Sequence, residues 1–145
     1  MAYTLREEKG EILVTSDGVK DRDVFLDAAR GLFSTQYDFE KIRGRDERVK
    51  IVVEGKDMSD LLRAWLTELA ERQTLHSLVY GSFTIVSIQK VGSSGYLLTG
   101  SAHGEPYATT KHPFLLKELD IKKKGILCEQ REKKYYCEFR VAKSS

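Results

Sequence analysis

The hydrophobic period of the chain changes once, and that change limits the fold more than any single residue does. Early on, apolar residues recur at helical spacing. Val24, Phe25, Ala28, Ala29, Leu32 and Phe33 share one face of a helix that begins near Asp21 and ends between Ser34 and Tyr37. Met58, Leu61, Leu62, Trp65, Leu66 and Leu69 form a second such face. Asp57 is placed to cap that helix, with Asp60 three residues on in a weak capping-box position. From Phe83 the period becomes two: Phe83, Ile85, Ser87 and Gln89 alternate with Thr84, Val86, Ile88 and Lys90. Both sets are partly apolar, which predicts a strand buried on both faces. Helices first and strands after predict an α+β fold, with two main helices packed on one face of a mixed or antiparallel β-sheet.

Shorter signals fill in the rest. Glu11 to Thr15 and Val49 to Val53 read as strands. Gly92-Ser93-Ser94-Gly95 is hairpin chemistry, and the returning strand covers Tyr96 to Ser101. Gly104 to Tyr107 reads as a turn and Thr109 to Pro113 as an exposed loop. Phe114 to Lys122, Gly125 to Gln130 and Tyr135 to Val141 are further strand candidates. The last two make a hairpin around Glu132-Lys133, pairing Gln130 with Tyr135, Cys128 with Cys137 and Ile126 with Phe139 on its more apolar face.

At 145 residues the chain is expected to be one domain, residues 1–145, with a core that needs no staple. Met1 to Gly10 is polar, and no segment offers the roughly 20 apolar residues of a membrane span. A cytoplasmic location is the resulting expectation. The net charge of +2 is unevenly spread. Lys111 onward carries 10 basic and 5 acidic residues, so the C-terminal segment can present Lys122, Lys123 and Lys124 to RNA or to an acidic partner, or simply to water.

Catalytic signatures are scarce. No phosphate-binding Gly-rich loop, dinucleotide fingerprint or Gly-x-Ser-x-Gly elbow occurs. Cys128 and Cys137 form no Cys-x-x-Cys pair, and of His76, His103 and His112 the last two, nine positions apart with no cysteine near, read as solvated loop histidines in preference to a zinc site. Cys128 and Cys137, on the apolar side of their hairpin, are expected to be free, buried thiols. Tyr135 and Tyr136 point to opposite faces, so only one could join an aromatic platform for bases. Glu7, Glu8 and Glu11 crowd the start of the first strand. Three carboxylates there suit a hard cation such as Mg²⁺ or Ca²⁺, or a plain solvated acidic stretch.

The order of motifs resembles the archease family. The resemblance runs from Tyr3 to Val141 and rests on FLDAARGLFS (Phe25 to Ser34), VEGKDMSDLLRAWLTEL (Val53 to Leu69), GEPY with the KHP loop (Gly104 to Pro113), and the terminal hairpin. It implies an archease-like domain and a non-catalytic accessory protein of the RNA-splicing ligase that joins tRNA halves, promoting ligase guanylylation and turnover. By the same resemblance, an Asp-His-Thr-Ala-Asp phrase with metal-ligating acids falls on Glu7 to Glu11, putting Glu7 and Glu11 at the metal positions, and a further family glutamate on Glu118. The family's C-terminal acid falls on Arg140, a charge reversal, and its Thr-Tyr-His phrase on Lys122 to Lys124. Arg140 and Lys124 are therefore expected beside Glu7 and Glu11, in place of a metal. The alternative is a diverged, metal-independent protein-binding or chaperone-like module that touches RNA through Lys122, Lys123, Lys124 and Arg140. An independent hydrolase is the third reading.

Overall fold

The computed structural model describes residues 3–143. In chain order the elements are β1 (Tyr3–Glu8), β2 (Glu11–Gly18), α1 (Asp21–Ser34), a 3-10 turn (Phe39–Lys41), β3 (Glu47–Gly55), α2 (Met58–His76), β4 (Leu78–Val91), β5 (Gly95–Pro106), β6 (Leu127–Arg131) and β7 (Lys134–Ala142). The expected single sheet is two sheets. One has the order β1-β2-β7-β6 and the other β3-β5-β4, and every pairing is antiparallel. The split arises because the terminal hairpin pairs with β2 and not with β5. Each helix touches both sheets, so the helix pair is what joins them.

The helices form where the apolar period places them. Asp57 caps α2 by accepting from the Asp60 N–H at 2.8 Å, while Asp60 accepts from the Lys56 N–H at 2.9 Å. The cap of α1 is Lys20, not Asp21, and Asp21 and Asp23 lie in the first turn beside its N–H groups. Trp65 is wholly buried, and its Nε1–H donates to the Phe25 carbonyl at 3.1 Å, tying α2 to α1. Phe33, Tyr80 and Phe83 complete an aromatic core with Phe39 and Tyr37. Gly55 ends β3 where a Cβ would stand 2.4 Å from the Leu61 backbone nitrogen, so only glycine lets α2 start this close to the sheet.

Several boundaries differ from expectation. β1 is a strand, joined to β2 by Lys9 and Gly10, both at positive φ (46° and 83°) as a two-residue hairpin demands. β4 begins at Leu78, directly after Ser77 ends α2 in the left-handed region. Gly104 to Pro106 continue β5 and do not turn. Phe114 to Lys122 is not a strand. Its one ladder contact is Ile121 with Val141, flanked by Lys122 N–H to Arg140 O and Ala142 N–H to Asp120 O, both 2.8 Å. This segment crosses from one sheet to the other, and Phe114, Leu119 and Ile121 pack on the core as it passes. The terminal hairpin holds the expected register at Gln130–Tyr135 and Cys128–Cys137, but β6 starts at Leu127 opposite Glu138, so the expected Ile126–Phe139 pair lies outside the ladder. No helix of the described residues is long and apolar enough to cross a membrane.

Candidate functional site: a charged sheet tip and a buried carboxylate clamp

Strand alternation decides which of the acidic residues meet. Glu8 stands opposite Glu11, and Glu7 opposite Ile12. Residues directly opposed share a face, and neighbours along a strand do not. Glu8 and Glu11 therefore project from the face that carries Arg6, Leu13 and Arg140, while Glu7 projects from the other. The expected convergence of Glu7, Glu8 and Glu11 is broken by the pleat itself. Glu118 is elsewhere again, beside α2, accepting from the Thr74 hydroxyl at 3.5 Å. Among the described residues no group of three or more His, Cys, Asp or Glu gathers as a metal would require. The carboxylates present do not fit a divalent cation.

Cations of the chain itself occupy this tip. The Arg140 guanidinium lies 3.5 Å from Glu8 and 3.8 Å from Glu138. Arg6 pairs with the same Glu8, and this hydrogen bond, more than Arg140, holds the Glu8 carboxyl below its usual range. Glu7 is held by Lys143. The expected pairing is thus corrected: Arg140 meets Glu8, not Glu7 or Glu11. Lys124 has no ion-pair partner among the described residues, although the next residue, Gly125, passes beside Arg140. Lys122 pairs with Asp120 at 3.6 Å, and Lys123 lines a groove with Arg63, Glu71 and Glu118. Further along the same face, Arg131 stacks on the Tyr136 ring at 3.9 Å and Tyr136 donates to Glu138 at 2.8 Å. Leu13 is only 7% exposed on this open face, sheltered between Arg6 and Arg140 in its cross-strand row.

A second constellation was not legible as a site. Glu105, 6% exposed, accepts from the Gly44 N–H at 2.8 Å, from Lys111 Nζ at 2.7 Å and from His112 Nε2 at 2.7 Å. His112 is 3% exposed, which corrects the solvated reading of this histidine, while Thr109, Thr110, Lys111 and Pro113 around it form the exposed loop expected. Its Nδ1 accepts from the Ala108 N–H at 2.9 Å, so Nε2 carries the proton and donates to Glu105. Lys111, then Gly44 and His112, bring the Glu105 carboxyl down to about 2 against the cost of its burial. The pair clamps the 108–112 turn and the 42–44 loop onto the end of β5. The signal was the Glu and His seven residues apart within the Gly104–Pro113 phrase.

Ser101 and His103 also meet, Oγ to Nε2, at 3.0 Å. They lie two apart on β5 and so share a face. Among the described residues no carboxylate pairs with His103. Desolvation, then Arg48 and Arg45, pushes its pKa below the usual value. The imidazole thus lacks the orienting acid of a hydrolytic triad.

These observations describe an α+β protein: two antiparallel sheets joined by two helices, with ion-paired side chains at the tip of one sheet. The sequence profile of the Archease protein family (MTH1598/TM1083) matches residues 3–132. The chain belongs to the archease family. Protein archease of Methanopyrus kandleri is 28% identical over 119 residues, spanning 82% of this chain and 83% of that one. Protein archease of Pyrococcus furiosus is 33% identical over 106 residues, 73% and 72% of the two chains. The solution structure of protein 1598 from Methanobacterium thermoautotrophicum shares the fold, with a TM-score of 0.82 over 97% of this chain and 98% of that one, at 18% identity.

Proposed function

We propose that this protein is an archease-type accessory factor, acting in the cytoplasm, that promotes guanylylation and turnover of an RNA-splicing ligase in tRNA processing, and is not itself the enzyme. The observation that carries this reading is the family match over residues 3–132, with the three motif phrases in family order. A multiple-turnover RNA ligation assay tests it. Adding the protein to its cognate ligase should raise the number of turnovers per ligase. An equal number of turnovers per ligase with and without it would overturn the proposal.

The charged tip favours a specific form of this activity, one that needs no divalent ion. Arg140 stands beside Glu8 and Glu138, and Lys143 beside Glu7. A guanidinium meets the electrostatic demand of carboxylates through directed hydrogen bonds. A second cation about 4 Å from it is disfavoured by roughly 4 kcal/mol at an effective dielectric near 20. Calorimetric titration with Ca²⁺ and Mg²⁺ should find no stoichiometric site, and Arg140→Asp should create one. A micromolar Ca²⁺ site lost in Glu11→Gln or Glu118→Gln would overturn the metal-independent reading while leaving the accessory role standing.

A further inference from the structure

The open face of the β3-β5-β4 sheet holds cations that no carboxylate neutralises. Its register aligns Ser82, His103 and Arg48 in one cross-strand row, and Thr84, Ser101 and Lys50 in the next. Ser87 and Thr99 continue it with Val52. Val49, Ile51, Leu98 and Ala102 alternate with these residues and fill the core, so the polar set is the outward one, with Arg48, Lys50 and Thr84 exposed and Ser101, 3% exposed, covered among them. Neither of the first two rows contains an acid, and Glu54 stands at the far end, opposite Leu97. Among the described residues Arg45, Arg48 and Lys50 make no ion pair within 4 Å. This contrasts with the tip, where Arg6, Arg131 and Arg140 each have an acid partner.

Arg45 is held in place without being neutralised. Its Nη1 donates to the carbonyls of Ile42 and Gly44 at 2.9 and 3.0 Å, and it lies across Gly81 at the β4 bulge. A Cβ at residue 81 would stand 2.2 Å from that nitrogen. The rest of the guanidinium fork is left for another acceptor. Held this way, it loses little freedom on binding an anion.

We infer that this sheet face binds the sugar–phosphate backbone of an RNA duplex, with Arg45, Arg48 and Lys50 on phosphates and the hydroxyls of Ser82 and Thr84, with His103, on ribose 2′-hydroxyls. The chemistry selects this partner. Phosphates require unneutralised cations, and the face supplies three. A 2′-hydroxyl both donates and accepts, and so do serine, threonine and a neutral imidazole. His103 is kept neutral at pH 7 by burial and by the two arginines. No Phe, Tyr or Trp stands in these rows, so the face offers unstacked bases no platform of two or three rings. A hydroxyl-bearing sheet face suits the wide, shallow minor groove of A-form RNA, which is read by shape and backbone and not by sequence. This assignment places RNA on a different face from the Lys122–Lys124 segment.

Fluorescence anisotropy with a labelled 20-base-pair RNA duplex and no ligase tests the inference apart from the accessory role. Binding should weaken steeply with salt. Arg48→Gln with Lys50→Gln should weaken it about tenfold or more, and adding Arg45→Gln should lower the log–log salt slope by about 3 in all. These exposed residues leave the core intact, which thermal melting of each variant checks. Lys122→Gln, Lys123→Gln and Lys124→Gln together should change affinity less than twofold. Ser82→Ala with Thr84→Ala should weaken RNA but not DNA binding of the same sequence. Equal affinity for RNA and DNA duplexes would overturn the 2′-hydroxyl assignment. Loss of binding in the Lys122–Lys124 variant alone, or equal binding of polyglutamate at this face, would overturn the proposal.

Discussion

Glu105 is a carboxylate that folding makes more acidic. Unfolded it titrates near 4.5, and in the clamp near 2, so protonating it costs the folded state more than the unfolded one. A group with a depressed folded pKa contributes stability that is fully present above about pH 4.5 and lost as pH falls through about 2. The shift corresponds to about 3 kcal/mol, reduced to about 2 because Lys111 reaches it from solvent. Urea titrations at pH 5 and pH 2.5 should show the wild type losing about 2 kcal/mol more than Glu105→Gln. Equal losses would mean that Lys111 and His112 do not bear on the carboxylate. Trp65 is the other residue whose role can be isolated. Trp65→Ala removes a wholly buried ring and its bond to Phe25, and should cost about 3–5 kcal/mol in urea unfolding. An unchanged midpoint would contradict its anchoring role.

Among the elements, the two hairpins of the β1-β2-β7-β6 sheet behave differently. The β1–β2 turn depends on backbone conformation alone: Gly10 has φ of +83°, and nothing lies within 4 Å of where its Cβ would stand. Gly10→Val should therefore destabilise by about 1–2 kcal/mol through strain, without a clash. In the β6–β7 hairpin, Cys128 and Cys137 face each other as free, buried thiols, and each other's presence together with burial pushes the Cys137 thiol well up. Native-state labelling by a thiol reagent should be slow for both and fast only in urea, and rapid stoichiometric labelling would show that the hairpin opens. The helices and the terminal hairpin were legible because their apolar periods are long and unbroken. β1 was not, because its apolar residues, Tyr3 and Leu5, are few and its turn is Lys-Gly in place of Asn-Gly. The Phe114–Lys122 segment misled for the opposite reason. Its apolar residues are there to cover the core along a crossing, and a strand has the same composition. The acidic site was legible as a cluster in sequence, and the pleat separated it.

At the scale of the whole molecule, charge is sorted by sheet. The open face of one sheet has its arginines paired with glutamates, and the open face of the other has its cations unpaired. Anion binding is expected to be steeply salt-dependent at the unpaired face and weak at the paired one. The same sheet division has a consequence for how the protein is made. β7 lies between β2 and β6, so an inner strand of that sheet is the last one in the described chain. A ribosome delivers β2 more than a hundred residues before β7. In the interval the open edge of β2 has no native partner, while the β3-β5-β4 sheet has all its strands once Pro106 emerges. Nascent chains stalled with β7 still inside the exit tunnel should therefore show protease resistance confined to the later sheet and α2. Their N-terminal hairpin should be cleaved, or captured by a strand-binding chaperone, until roughly 30 further residues of linker free β7 to close over it.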